Sequence, residues 1–413
     1  MAPLTMTEPS NPPAPSPPGF PLWPLAMTMS MQTLATMAAF SVPSLAPAIA
    51  RDLQIDGALT GYFVSLVYGV GIVSSLLAAN LINRFGAVRV SQLVLAAAIA
   101  MLCISAFGHL AALALGAIVL GLAYGATAPV SAHLLVPRTP VAMLNLVLSI
   151  RQISVPLGGV LAALILPGLA LRAGWQAALL VLAGPALLLM LALQWPRRHW
   201  DRPSREPTTR RGGRLAQIKA LLMSSAEMRR LTVASFVFQG VQLSFVAFTT
   251  VQLTSQAGFG LIAAAQALAI FQITGVISRP FWGWVADRIG SARVLLAMLG
   301  CLMGAASIAA GFYSTAWPPA LVFLLSAIAG ASANGSTGLS YAEFARLGGA
   351  QRTEATGLGS AAMFSGVLIM PSLGAALITA TGGYLMTFAG FGLCALIVGI
   401  LLGQAAARDG RSR

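Results

Sequence analysis

Apolar residues run almost without a break over 22–48, 58–82, 90–108, 110–135, 143–170 and 174–196. After a polar stretch they resume over 229–253, 259–285, 292–312, 317–342, 355–380 and 383–405. Each run is close to the roughly 20 residues a helix needs to cross a hydrocarbon layer. The runs are continuous and lack the alternation of a barrel strand, and a helix satisfies its own backbone groups inside lipid. The pattern predicts an all-α integral membrane protein with 12 transmembrane helices. Residues 1–21, rich in Pro and Ser and free of Lys and Arg, read as a disordered cytoplasmic tail. They have neither the basic segment nor the cleavage site of a signal peptide.

Composition agrees with that reading. Of 413 residues, 57% are hydrophobic and 8% charged, against about a quarter charged in a soluble chain. Lys and Arg number 24 against 10 acids, a net charge of +14, which would suit a nucleic-acid surface if the charges were clustered on one. They are not. With both termini cytoplasmic, 20 of the 24 fall in cytoplasmic segments, including Arg84, Arg89, Arg138, the run from Arg197 to Arg230, Arg288, Arg293, Arg346 and Arg352. Arg51 and Arg172 lie on the opposite side. This is the positive-inside pattern of a multi-pass protein of the bacterial inner membrane. It makes the lipid bilayer a partner and excludes nucleic acid. Cys103, Cys301 and Cys394 are scattered in apolar stretches and predict neither a disulfide framework nor a metal site.

The chain repeats itself. Asn83-Arg84-Phe85-Gly86-Ala87-Val88-Arg89 after span two is echoed by Asp287-Arg288-Ile289-Gly290-Ser291-Ala292-Arg293 after span eight. Pro156-Leu157-Gly158-Gly159 is echoed by Pro371-Ser372-Leu373-Gly374, and Gly174-Trp175 by Gly383-Tyr384. The expected organisation is therefore two parallel-repeated six-helix bundles, 22–196 and 229–405. A basic cytoplasmic linker, 197–228, joins them and a short tail, 406–413, follows.

These residues resemble the major facilitator superfamily of transporters over the whole chain from about residue 22. The loop after spans two and eight is written in that family as Gly-x-x-x-Asp-Arg-x-Gly-x-x-Arg. The second copy is complete, with Gly283, Asp287, Arg288, Gly290 and Arg293. The first keeps Arg84, Gly86 and Arg89 but has Ala79 for the Gly and Asn83 for the Asp. The Gly allows close helix approach, and the Asp carboxylate can pair with an Arg or sit at a helix N-terminus. The resemblance implies that these contacts close the cytoplasmic side and break as the halves rock. Asn83 carries no charge, so the first-half latch is expected to be the weaker one. The alternative is that the arginines only anchor the loops to lipid head groups.

The resemblance also implies that spans one, four, seven and ten line a central cavity, with five and eight meeting across the interface. Two arginines, Arg151 and Arg279, fall inside spans. Such a charge costs about 2.5–3.5 kcal/mol on insertion scales and is a functional candidate by default. The planar guanidinium fork suits a carboxylate or another oxyanion. Arg279-Pro280 with Gly283 resembles the span-eight Arg-Pro-x-x-Gly of monocarboxylate porters, where the Arg binds the substrate carboxylate. Against this stand snorkelling toward the cytoplasm and pairing with Glu343 or Glu354. Polar stripes mark the cavity helices: Thr28, Gln32 and Thr36; Tyr124, Thr127 and Ser131; Ser235, Gln239, Gln242 and Thr249; Asn334, Gly338 and Tyr341. The same residues could instead bond helix to helix. From these stripes Gln32, Tyr124, Gln239, Gln242 and Asn334 join the two arginines as candidate substrate contacts.

None of the ten acids lies at mid-membrane. Glu343 is the nearest candidate proton carrier, and His133 could titrate near neutral pH. The Gly-Pro-x-x-Gly-Gly element of drug-proton antiporters is incomplete here, with Val155 before Pro156. The sequence thus predicts a secondary transporter, without cofactor and not an enzyme, and the resemblance implies a monomer. Its substrate is a small molecule, an organic or inorganic anion such as a monocarboxylate, moved by alternating access with a proton as candidate co-ion. The alternatives are an exporter of apolar or drug-like compounds and, from another class, a transporter-like membrane sensor.

Overall fold

The computed structural model describes residues 20–54, 61–201 and 214–411, and most of the expected tail at 1–21 lies outside them. Among the described residues there are helices and no strands. Eleven stretches are long and apolar enough to span a membrane. The longest, Pro319–Thr381, holds two helices, Pro319–Gly348 and Arg352–Thr381, so twelve cross in all.

The first six spans are Leu22–Ser44, Gly61–Phe85, Ala87–Ser105, the pair Leu110–Tyr124 and Thr127–Leu135, the pair Leu144–Arg151 and Ser154–Ala173, and Trp175–Ala192. Spans four and five are each interrupted, at Gly125–Ala126 and Gln152–Ile153, where the apolar runs are continuous. Spans seven to twelve are Ala226–Ser255, Leu261–Ile289, Ala292–Gly311, Pro319–Gly348, Arg352–Thr381 and Leu385–Arg411. The stretch expected as a polar linker is partly helical: Gln194–Trp200 extends span six, Arg214–Met223 forms a further helix, and span seven begins at Ala226.

Each half has its own apolar core. One gathers residues from Met31 to Leu193, around Met101, Leu120 and Trp175. The other runs from Met228 to Leu402, around Phe238, Phe271 and Phe388. With lipid outside, packing rather than water exclusion holds such helices together, and small residues let the backbones approach. Gly304 and Gly392 face each other between spans nine and twelve, where a side chain on either would meet the other's carbonyl.

The halves meet toward the face bearing the arginine-rich loops, called here the basic face. A Cβ on Gly283 of span eight would come within 2.8 Å of the Asn145 oxygen and Leu146 Cα of span five. One on Gly338 of span ten would lie 2.5 Å from Ser149 Cα. One on Gly357 of span eleven would lie 2.5 Å from the Ser75 oxygen of span two. Leu25, Leu135, Val147, Leu148 and Ala342 form an apolar plug between the halves. Span eight packs on Leu144–Arg151 and only slightly on Ser154–Ala173. Between spans five and eight, the contacts that join the halves are thus gathered toward the basic face.

Candidate functional site

Arg151 ends the first helix of span five and is buried. Its Nε donates to Ser131 Oγ at 3.0 Å, and its Nη2 to Gln32 Oε1 at 2.7 Å and to the Thr127 carbonyl at 3.0 Å. Its Nη1 donates to Gln152 Oε1. Gln32 in turn donates to Thr36 Oγ1 at 3.0 Å and Tyr124 Oη at 3.3 Å. Spans one, four and five thus hold the guanidinium in a neutral cage. Tyr68 and Phe364 pack edge-on against each other, and Tyr68 also meets Tyr124, so that span eleven reaches the rim of this cage.

Arg279 occupies the corresponding depth of span eight and is also buried. Its Nε donates to the Asn334 carbonyl at 3.3 Å and its Nη2 to Asn334 Oδ1 at 2.9 Å. Gln242 Nε2 donates to the same oxygen at 2.8 Å, and Gln239 Nε2 to Thr337 Oγ1 at 3.4 Å. Arg279 Nη1 is buried and has no hydrogen-bond partner among the described residues. Neither arginine snorkels, and among the described residues neither is paired with a carboxylate. The expectation that Glu343 might serve them is corrected by its placement. It binds Arg293 at 2.6 Å and Arg346 at 2.6 and 2.7 Å, and Arg293 also reaches Glu227 at 2.7 Å. Its charge is taken up within the second half.

The stripes divide on inspection. Gln32, Tyr124, Gln239, Gln242 and Asn334 are joined to the arginine networks or to facing helices. Thr28 bonds back to the carbonyls of Pro24 and Leu25, as a helical threonine commonly does. Gly338 is a packing contact, and Tyr341 meets Ser360 at 3.1 Å. Sequence reasoning missed Gln152, Thr337, Tyr68 and Phe364. The first sits beside Arg151 in the chain and could have been suspected; the aromatics look like any other lipid-facing residue until the fold turns them inward.

The loop motifs are asymmetric. Asp287 Oδ1 accepts from Asn145 N at 3.1 Å and Asn145 Nδ2 at 2.8 Å, and Oδ2 accepts from Leu146 N at 2.9 Å. A carboxylate of one half therefore caps a helix N-terminus of the other, where the dipole favours it. Gly283 gives the required approach, and Gly290, at φ +71°, ends the helix. The Asn83 side chain makes no hydrogen bond among the described residues. The nearest first-half counterpart is a neutral bond, His133 Nδ1 to Thr353 Oγ1 at 3.1 Å. Arg84 and Arg288 stack on Phe85 and Trp284 at the surface. Arg89 offers its backbone N–H, at 3.1 Å, to Asp201, a residue from beyond span six that also accepts from Val88 N at 2.8 Å. A cleft of about 620 Å³ lies at the basic face, lined by Val136, Asn145, Asp287, Arg293, Glu343 and Arg346.

Twelve helices in two bundles, each with its own core and joined toward one face, are an architecture suited to a membrane transporter. Residues 28–345 match the family profile of the Major Facilitator Superfamily, and the chain belongs to it. Among solved structures it is similar to the proton:xylose symporter XylE bound to 6-bromo-6-deoxy-D-glucose, with a TM-score of 0.72 at 15% identity, covering 92% of this chain and 94% of that one. It is also similar to the E. coli fucose:proton symporter FucP, with a TM-score of 0.71 at 14% identity over 92% and 97%. A second FucP structure, in the outward conformation, gives a TM-score of 0.68 over 92% and 98% at 14% identity. At such identities the likeness is one of fold. No curated protein sequence matches.

Proposed function

We propose that the chain moves a small anion, such as a monocarboxylate, by alternating access, and that the structure is its outward-facing state with the basic face cytoplasmic. The observation that carries this is Arg279: a buried guanidinium inside span eight, with no carboxylate partner among the described residues and one terminal nitrogen unpaired. A buried cation without a counter-ion is costly, and an anionic ligand relieves that cost. Arg151 supplies a second positive charge whose donors are already engaged, so it favours anions without needing to bind one directly. In proteoliposomes, Arg279→Ala should abolish carboxylate uptake while the protein stays inserted and monodisperse. Undiminished uptake would remove the anion argument.

A second reading is favoured by the amides Gln32, Gln239, Gln242 and Asn334, which suit a neutral polyol, and by structural neighbours that are sugar symporters. The same panel, extended to monosaccharides and run with and without a pH gradient, separates the two and tests proton coupling. No carboxylate among the described residues joins the arginine networks, so a coupled proton would have to travel elsewhere or on the substrate.

A further inference from the structure

Among the described residues, two buried atoms in the second half lack partners of opposite kinds. Arg279 Nη1 is a donor without an acceptor, and Gln242 Oε1 is an acceptor without a donor. Their side chains are neighbours, because Arg279 Nη2 and Gln242 Nε2 both donate to the single oxygen Asn334 Oδ1. That oxygen is held in place. Asn334 Nδ2 donates to the Gly330 carbonyl at 3.1 Å, and Gly275 leaves room for the amide, since a Cβ there would come within 2.8 Å of Asn334 Cβ. Asn334 therefore sets an unpaired donor beside an unpaired acceptor.

An unmet buried polar group carries a desolvation penalty that a matching ligand removes. A plain carboxylate offers acceptors only; it satisfies Arg279 and leaves Gln242 Oε1 unmet. A ligand that answers both carries a donor next to its anionic oxygens. An ammonium would place a second cation beside Arg279, where no carboxylate among the described residues balances it. A hydroxyl adds a donor without charge. We propose that the site takes 2-hydroxy carboxylates, with the carboxylate on Arg279 and the hydroxyl donating to Gln242 Oε1, and that Gln242 is the residue that reads the hydroxyl. This rests on the anion reading and narrows it.

The test compares lactate, in both enantiomers, with propanoate and alanine, titrated calorimetrically into the full chain in lipid nanodiscs. Propanoate keeps the carboxylate and chain length and lacks the hydroxyl. One lactate enantiomer should bind at least about ten-fold more tightly than propanoate. In Gln242→Met, which keeps the length and removes the acceptor, that ratio should fall to near one. Equal affinities in the unsubstituted protein overturn the proposal, whatever the variant does. A ratio that survives in Gln242→Met overturns the role of Gln242, and alanine binding as tightly as lactate replaces hydroxyl by ammonium. Tight propanoate binding with no lactate preference leaves the anion reading standing, whereas no binding of any acid removes both.

Discussion

Removal of the Asp287 carboxylate should open the basic face. It receives three hydrogen bonds from Asn145 and Leu146, two of them from backbone N–H groups at the start of Leu144–Arg151. Bonds to a charged acceptor contribute about 1.5–3 kcal/mol each when isolated. They share one half-buried carboxylate, and water replaces them once the halves part. A joint loss of about 2–3 kcal/mol in Asp287→Ala is the reasonable figure, or a shift of roughly 30- to 150-fold in the closed-to-open ratio at about 1.4 kcal/mol per decade. Asp287→Asn keeps one acceptor but turns an amide donor toward backbone donors, and should recover little. The assay is a pulsed electron resonance distance measurement between spin labels at Val141 and Ile289, both exposed and on opposite sides of the seam. Cys103, Cys301 and Cys394 would first be replaced by Ser. Both variants should move the distribution toward longer distances. An unchanged distribution in both would refute the view that this carboxylate holds the face shut.

Gly338→Val places a side chain on Ser149, whose Cα lies 2.5 Å from the ideal Cβ position. Overpacking of this kind costs about 1–3 kcal/mol, and since the halves can part, the same label pair should report opening. Gly86→Ala forces a Cβ onto the Asp201 carboxylate at φ +89°. It should lower thermal stability by about 1–3 kcal/mol, whereas Asp201→Ala, which removes only a cap, should cost about 1 kcal/mol. Glu343→Gln leaves Arg293 and Arg346 short of their shared carboxylate. With both arginines partly in solvent, the loss should be about 2–3 kcal/mol, below that for a fully buried pair. A melting curve in detergent checks it.

The twelve spans were legible because each needs only a run of apolar residues, and lipid imposes that run whatever the neighbours. Arg151 and Arg279 were legible for the same reason, since a charge inside such a run stands out. The arrangement around them was not. Thr28 and Gln32 sit on one stripe one turn apart, yet one bonds to its own backbone and the other to Arg151. Helical period says which face a residue shares, while the partner depends on how far the facing helix stands. The breaks at Gly125–Ala126 and Gln152–Ile153 leave hydropathy unaltered and so left no trace in the pattern. Asp201 looked like one more linker charge, because its target, the start of span three, is 113 residues away in the chain.

The uneven latches give the closed face a direction. Along the seam of spans five and eight a carboxylate grips a helix end. Where span eleven meets spans two and four, the Asn83 side chain holds nothing among the described residues and the neutral bond from His133 of span four takes its place. Charge-assisted bonds are about twice as strong as neutral ones. Thermal motion should therefore part the second seam first, with the first acting as a hinge. The protein would open as a door does, from its free edge, and a solute leaving the centre would depart beside the axis rather than along it.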